Sequence, residues 1–577
     1  MFFQRKHMYV PTYQRRYTWK RENVNRLLED IEMVIERIKK NEKEDDGNKK
    51  VEENHYIGTV YIQEKNTGVW ELIDGQQRVT TLTLLIQAII NNISDIEGEY
   101  NEEDASDEDA EEHAKLLKSK DFWNTEFLVD RETGENKVEL SYDDEKDLEE
   151  LRENGDKMGT SAIKTNYRII DKWIRENFIE KEIDLGDIIL ATDRLRIIEV
   201  ALSEKDNSQV IFDGINATGQ PLQTGDQVKN YLLMSYGKQK QQDLYMKYWR
   251  PIELGVGVAD NYRTVQTIFL TVLLGNQINN NKRLNKYEEF KFFKRKFDLD
   301  NEEYLKEFKD FYDIYVKIEE NDFKNTKIKE PMKRIAYTIF KETDSKGYII
   351  QVVKHLIDGY IDEEEFIRTI DVLEGYILRR ILADGYKKSG SHFNYLHRKI
   401  LERIEHTGQT YSASLKQILN SEIENKTPTD REILLTVGTL NIYRSKTYNF
   451  TRYLLERIEN GGTKEQMDIY TDSKRYTIEH IMPQTLSEEW KSQLGESQVE
   501  QASIYKDTLG NLTLTGYNSE YSNKTFEEKM EVVNGYRDSR FINLNKSVVN
   551  KTSWGIGTIK LRTEELAQRV MDMYPVD

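Results

Sequence analysis

Two short stretches hold residue types that could do chemistry. In "YTIEHIMPQTLSEEW" (476–490) an apolar run delivers Glu479 and His480 side by side, and Pro483 ends it. A neutral imidazole can take a proton from water near neutral pH. A carboxylate and side-chain amides are hard oxygen ligands suited to Mg2+ or Mn2+, which would stabilise charge on a phosphoryl group and its leaving oxygen. The amides follow in "TLGNLTLTGYNSEYSNKTFEEK" (508–529). Asn511 is placed to orient the imidazole. Asn518 or Asn523 would complete a metal set with Glu479, and Asn518 is preferred. A lone Glu-His pair is usually a surface pair, but here four polar residues recur in strand–strand–helix order. That order suggests metal-assisted phosphodiester hydrolysis.

The second stretch is "LIDGQQRVTTLTLL" (72–85). Asp74-Gly75 is a turn pair in which Gly75 can take a positive φ at little cost. Thr80 and Thr81 would sit at a helix start, where free N–H groups attract phosphates, and the Arg78 guanidinium suits bidentate phosphate recognition. Asp74 could hold a metal or position a water. Gln76 and Gln77 offer amides to a base, a ribose or a water. The alternative is a structural corner in which Asp74 pairs with Arg78 and the glutamines are solvated.

The elements that must position these residues follow from periodicity. "NVNRLLEDIEMVIERIKK" (23–40) places Val24, Leu27, Leu28, Ile31, Val34, Ile35 and Ile38 at helical spacing. "HYIGTVYIQEKNTGVWELIDG" alternates like two short strands around "KNTG", and a helix is expected over about Val79–Ile93. Helices near 160–180 and a strand at "RLRIIEVAL" come next, then a mainly helical stretch from about 240 to 460. Within that stretch His355, His392, His397 and His406 read as surface or packing residues. Near the C-terminus, "YTIEHI" and "LGNLTL" read as strands separated by a loop. "SNKTFEEKMEVV" reads as a helix with Thr525 and Glu528 spaced as a capping box. The last helix would pack through Ile559, Leu561, Leu566 and Val570.

Four motifs occur in order: "YVPTYQRRYTWK" (9–20), "HYIGTVYI" (55–62), "LIDGQQRVTTLTLL" and "IFDGINATGQPLQTGDQVKNYLL" (211–233). Together they resemble the ParB/sulfiredoxin-like N-terminal domain of GmrSD-type modification-dependent (type IV) restriction proteins, including SspE-like ones. "IEHIMPQ", "LGNLTL", "SNKTFEEK" and "WGIGTIKLRTEELAQRVMDMYP" resemble the His-Asn-His nuclease domain at the C-terminus of the same family. The resemblance implies an α+β, mainly helical chain. It would hold a sensor domain over 1–240, a helical connecting region over 241–410 and a ββα-metal nuclease domain over 411–577. It also implies a nucleotide-binding and hydrolysing site at Tyr13, Gln14, Arg15, Asp74, Gly75, Gln76, Gln77, Arg78 and Thr80. Asn216, Gly219, Asp226 and Asn230 fill the later motif as edge packing. The activity implied is an NTP-regulated, metal-dependent DNA endonuclease or nickase in anti-phage defence. Its trigger would be modified phage bases such as glucosylated hydroxymethylcytosine, or it would partner with phosphorothioate-modified host DNA. The partners expected are DNA, a nucleoside triphosphate and, as one allowed assembly, a second copy of the chain. Two rivals stand: a nucleotide-hydrolysing sensor with a degenerate nuclease domain that works through a partner, and a non-specific nuclease toxin.

Composition limits these readings. With no cysteine, zinc-thiolate sites and disulfides are excluded, and a cytoplasmic home is expected. No apolar run of about 18 residues suggests a membrane span, and the N-terminus lacks an apolar signal segment. The formal charge of −19 is concentrated: residues 95–156 hold 25 acidic and 7 basic residues, leaving about −1 for the rest. This block reads as a solvated insertion, or more sharply as a nucleic-acid mimic guarding a basic cleft. Residues 471–577 carry 13 basic and 16 acidic side chains, so DNA would need local patches. Candidates are Lys506, Lys524 and Lys529, or Arg5, Lys6, Arg15, Arg16, Lys20 and Arg21. Tyr9, Tyr13, Tyr17 and Trp19 would form either core or a pocket for a modified base.

Overall fold

The computed structural model describes residues 7–43, 54–99, 115, 118–153, 158–180, 185–203, 205–218, 222–255, 259–275, 285–297, 300–337, 339–386, 392–421, 425–444, 448–463, 466–467, 469 and 475–576. Among the described residues the chain is mixed α+β and mainly helical, with two small sheets. It divides into two compact units, Met1–Gly255 with Asp300–Leu305, and Val256–Leu299 with Lys306–Asp577.

The first unit is built on a five-stranded sheet of order β4-β1-β3-β2-β5. Its strands are β1 (Met8–Tyr9), β2 (His55–Asn66), β3 (Val69–Asp74), β4 (Val138–Glu139) and β5 (Leu195–Leu202). β2 and β3 form the expected antiparallel hairpin, turned at Gly68 with φ of 78°. β1 lies parallel between β3 and β4, and β5 runs parallel to β2. Helices α1 (Arg21–Lys43), α2 (Gln76–Glu99) and α3 (Ala162–Glu180) contribute to the core. α2 begins three residues earlier than expected, directly after Gly75, whose φ of 95° makes the strand-to-helix corner. Its middle is buried on several sides, through Leu82, Leu84, Leu85, Ile86, Ala88 and Ile89 and through the polar Thr80, Thr81, Thr83 and Gln87.

The second half of the acidic block is not a solvated insertion. It supplies β4 and the helix Tyr142–Glu153, and it buries Trp123, Leu128, Val138, Leu140, Leu148 and Leu151 in the core. Its acids also bond within the fold: Asp144 accepts from Tyr17 N at 2.8 Å, and Asp143 meets Arg250 at 2.8 Å. Residues 100–114 lie outside the described residues.

In the second unit, helices of the central stretch pack against the C-terminal segment. Glu374 on α5 (Glu363–Asp384) is fully buried. It pairs with Arg457 on α6 (Tyr448–Asn460) at 3.1 Å and accepts from Tyr574 Oη at 2.7 Å, just past the last helix. A buried carboxylate needs such partners, so this network ties α5, α6 and the chain end into one body. His397 is buried against His355 and Tyr411, a packing role as read from the sequence.

β6 (Thr477–His480) and β7 (Leu512–Thr515) pair antiparallel, with His480 opposite Leu512. The segment between them is not a simple loop: it holds the helix Glu488–Leu494 and α7 (Glu496–Tyr505). α8 (Phe526–Glu531) starts at the expected Thr525–Glu528 capping box, with both reciprocal bonds present. α9 (Ile556–Met573) buries Ile559, Leu566 and Val570, but Leu561 is 64% exposed. Leu561 stands two positions from Ile559 and so projects from the opposite side of the helix. Among the described residues no helix is long and apolar enough to cross a membrane.

Candidate functional site

The two chemical stretches fall in different units. In the second unit, β6 carries Glu479 and His480 to its C-terminal end, and both are buried. Burial holds the His480 imidazole below its ordinary value, and Asp507 opposes that fall. Burial thus disfavours the charged form of the ring. Its Nε2 lies 2.9 Å from Asp507 Oδ1, and the Tyr443 ring packs T-shaped against it, 4.4 Å between centroids. Asp507 follows α7 and lies 27 residues beyond His480, with no spacing rule to announce it.

Glu479 does not stand open as a metal ligand. Its Oε1 is 2.6 Å from Lys529 Nζ on α8, and that ammonium also donates to His480 O at 2.8 Å and Ile481 O at 3.2 Å. Burial pushes the Glu479 carboxyl up and the Lys529 ammonium down, and their attraction opposes both shifts. Lys529 is fully buried, which also removes it from the expected DNA-facing patch.

Asn511 does not reach the imidazole through its side chain; it locks the backbone on both sides of the site. Nδ2 donates to Met482 O and Lys506 O, each at 2.8 Å. Oδ1 accepts from Met482 N at 2.8 Å and Trp554 Nε1 at 3.1 Å. One amide thus fixes the residue two beyond His480 and the residue just before Asp507. Asn518 is exposed and donates to Ile478 O at 3.1 Å and Thr477 Oγ1 at 3.2 Å, beside the start of β6. Asn523 is exposed on the turn before α8. Among the described residues no group of three or more His, Cys, Asp or Glu side chains forms a ready cation cage. With its carboxylate neutralised by Lys529, Glu479 does not fit the metal role expected of it, and neither does the Glu479–Asn518–Asn523 set.

In the first unit the glutamines act as clamps. Gln76 Nε2 donates to Arg15 O at 2.8 Å. Gln77 Oε1 accepts from Thr18 N at 2.8 Å and Trp19 N at 3.1 Å, while its Nε2 donates to Arg16 O at 3.1 Å. Gln14 Nε2 donates to Ile73 O at 3.0 Å and also meets Leu72 O. On the other side, buried Lys229 on α4 (Thr224–Leu233) donates to Gln14 O at 3.1 Å, and the Asn230 amide meets Tyr13 O. The segment 13–19 is thus gripped by the corner motif and the later motif. Asn230 therefore does more than pack an edge. Gly219 and the Asn216 side chain lie outside the described residues.

Tyr13 is fully buried and edge-on to Phe212, so it is core rather than a ligand contact. Tyr9 and Tyr17 are core as well, and Tyr17 Oη lies 2.7 Å from Thr81 Oγ1. Thr80 and Thr81 lie in the second turn of α2, not at its start; Thr80 is buried and Thr81 bonds back to Gln77 O at 2.8 Å. Asp74, Arg15 and Arg78 remain partly accessible. Arg78 Nη1 donates to Thr59 O at 2.8 Å, and its guanidinium lies over Gly58, where an added Cβ would come within 2.7 Å of Cζ. Burial raises the Asp74 carboxyl while the Gly75 N–H, Arg78 and Arg15 pull it down, and burial lowers Arg78. Arg78 and Arg15 thus both act on the Asp74 carboxyl at the start of α2, and guanidinium groups near a helix N-terminus are of the type that can hold an anion.

The family model "GmrSD restriction endonuclease, N-terminal domain" matches residues 1–233, and "GmrSD restriction endonucleases, C-terminal domain" matches residues 427–569. Each match contains one of the two sites. No curated protein matches the chain.

Proposed function

The chain belongs to the GmrSD restriction endonuclease family, and on that premise we propose that it is a DNA endonuclease or nickase of anti-phage defence, cutting at the β6–β7 site under the control of a nucleoside triphosphate bound in the other unit. The observation that carries the reading is the buried His480 at the end of β6, its Nε2 2.9 Å from Asp507 Oδ1, inside the matched C-terminal domain. A neutral imidazole there takes a proton from the water that attacks a DNA phosphorus, and the P–O bond to the leaving oxygen breaks. His480 then returns the proton to solvent or to the leaving group. Mg2+ or Mn2+ would supply charge stabilisation at the phosphoryl group when bound, but Glu479, paired with Lys529 at 2.6 Å, does not fit that ion. In the first unit, Arg15 and Arg78 would hold the nucleotide phosphates, with Asp74 placed to orient a water. The clamped segment 13–19 would transmit occupancy of that corner.

One observation favours a second reading, a nucleotide-hydrolysing sensor that works through a partner: Lys529 already neutralises Glu479. The discriminating experiment offers the full chain plain, glucosylated-hydroxymethylcytosine and phosphorothioate plasmids, each with and without ATP or GTP, in Mg2+, Mn2+ or chelator. Cleavage of one modified substrate, dependent on NTP and lost in Arg78→Ala, supports the nuclease. NTP hydrolysis without cleavage of any substrate supports the sensor.

A further inference from the structure

The nuclease reading leaves open what aims the base, and the segment before α6 bears on this. Asp507 is buried and fixed from several directions. Its Oδ2 accepts from Asn441 Nδ2 at 3.1 Å, its Oδ1 also accepts from Gln484 Nε2 at 3.3 Å, and its backbone carbonyl accepts from Ile442 N at 3.1 Å. Lys506 O, one residue earlier, is held by Asn511 at 2.8 Å. The Asp507 carboxyl therefore has little freedom, and one oxygen points at His480. Tyr443, from the same 441–443 strip, packs T-shaped against the ring, 4.4 Å between centroids. Three contacts from this strip converge on the pair, although the strip lies outside the strand–strand–helix motif.

We propose that Asp507 is the positioning residue of the His480 base: its Oδ1, 2.9 Å from Nε2, holds the proton on Nε2 and leaves Nδ1 as the nitrogen that accepts the proton of the attacking water. A carboxyl oxygen facing a ring nitrogen at this distance accepts the N–H, which fixes both tautomer and ring plane. It also stabilises the imidazolium formed after proton transfer, so the effect falls on the chemical step rather than on DNA binding. Asn441 and Gln484 keep the carboxyl from rotating away. This role rests on His480 being the base.

The test compares wild type, Asp507→Asn, Asp507→Glu and His480→Ala as full chains. Supercoiled plasmid in Mn2+ gives kcat and KM, and ring-15N-histidine labelling reports the His480 tautomer, assigned by its absence in His480→Ala. Asp507→Asn is expected to lower kcat about 10²- to 10⁴-fold with KM unchanged. It should also lose the Nε2–H signature, while Asp507→Glu recovers part of both. Wild-type kcat in Asp507→Asn, or a wild-type His480 signal of the Nδ1–H form, would overturn the assignment. A fall in kcat fully restored by raising Mn2+ would overturn it too, because Asp507 would then be a metal ligand. Should wild type cut no plasmid, the nuclease reading fails by itself, and the tautomer in wild type and Asp507→Asn still decides whether Asp507 sets the ring.

Discussion

Lys529→Met gives the sharpest view of how the C-terminal site is held. In the native protein the ammonium is fully buried and makes three contacts, to Glu479 Oε1 at 2.6 Å and to the carbonyls of His480 and Ile481. Methionine fills similar volume but leaves a buried carboxyl and two buried carbonyls without their donor. Breaking a buried pair by removing one partner costs about 3–5 kcal/mol, and the stranded carbonyls push toward the upper end. At 1.36 kcal/mol per tenfold change, this is roughly a 150- to 5,000-fold shift in the local opening equilibrium. A chain of two units need not unfold in one step, so hydrogen exchange over 477–482 and 512–515 is a better assay than a global melt. Protection there should fall by that factor. Exposed Lys491, paired with Glu488 at 2.6 Å, is the control, and Lys491→Met should change little. The pH dependence has a definite sign. Burial already raises the Glu479 carboxyl, and loss of Lys529 removes the charge that opposes the rise. A raised folded-state value means stability present at low pH is lost as pH rises through it. The deficit should be largest at neutral pH and shrink as pH falls toward the unfolded value of about 4.3. Glu479→Gln combined with Lys529→Met should recover part of the loss. Unchanged protection in Lys529→Met at neutral pH would refute the reasoning.

The other predictions concern single contacts. Gln77→Ala removes three bonds to the 16–19 backbone; at about 0.5–1.5 kcal/mol each it should cost roughly 2–4 kcal/mol, read as faster amide exchange at Thr18 and Trp19. Gly58→Ala places a Cβ 2.7 Å from the Arg78 guanidinium at a φ of +120°. It should lower affinity for a fluorescent NTP analogue at least as strongly as Arg78→Lys does, and unchanged affinity would remove Arg78 from the site. Because burial lowers His480, cleavage should persist below the ordinary imidazole value of about 6.5 before its acid limb appears in a pH–rate profile.

Much of the local structure was legible. The β2–β3 hairpin announced itself by alternation and a Gly-containing turn, and Thr525–Glu528 by its spacing, because both rest on interactions between near neighbours. The roles of polar side chains were harder to read. Gln14, Gln76 and Gln77 look the same in sequence whether an amide serves a ligand or a distant backbone carbonyl, and here they hold the segment 13–19. Glu479 read as an open carboxylate because its partner Lys529 lies 50 residues on, across a tertiary contact. Asp507 carried no signal beyond being an acid at the end of α7. The acidic block misled through its charge, although Trp123, Leu128, Val138 and Leu140 were an available sign that its second half had a core to join.

In the proposed reaction His480 is the base that takes the proton of the attacking water. The most direct measurement is the loss of supercoiled plasmid with time, for wild type and His480→Ala, on whichever modified substrate wild type cleaves. His480→Ala is expected to cut at a rate at least about 10²-fold lower, with DNA binding and folding intact. Cleavage by His480→Ala at the wild-type rate would contradict that role.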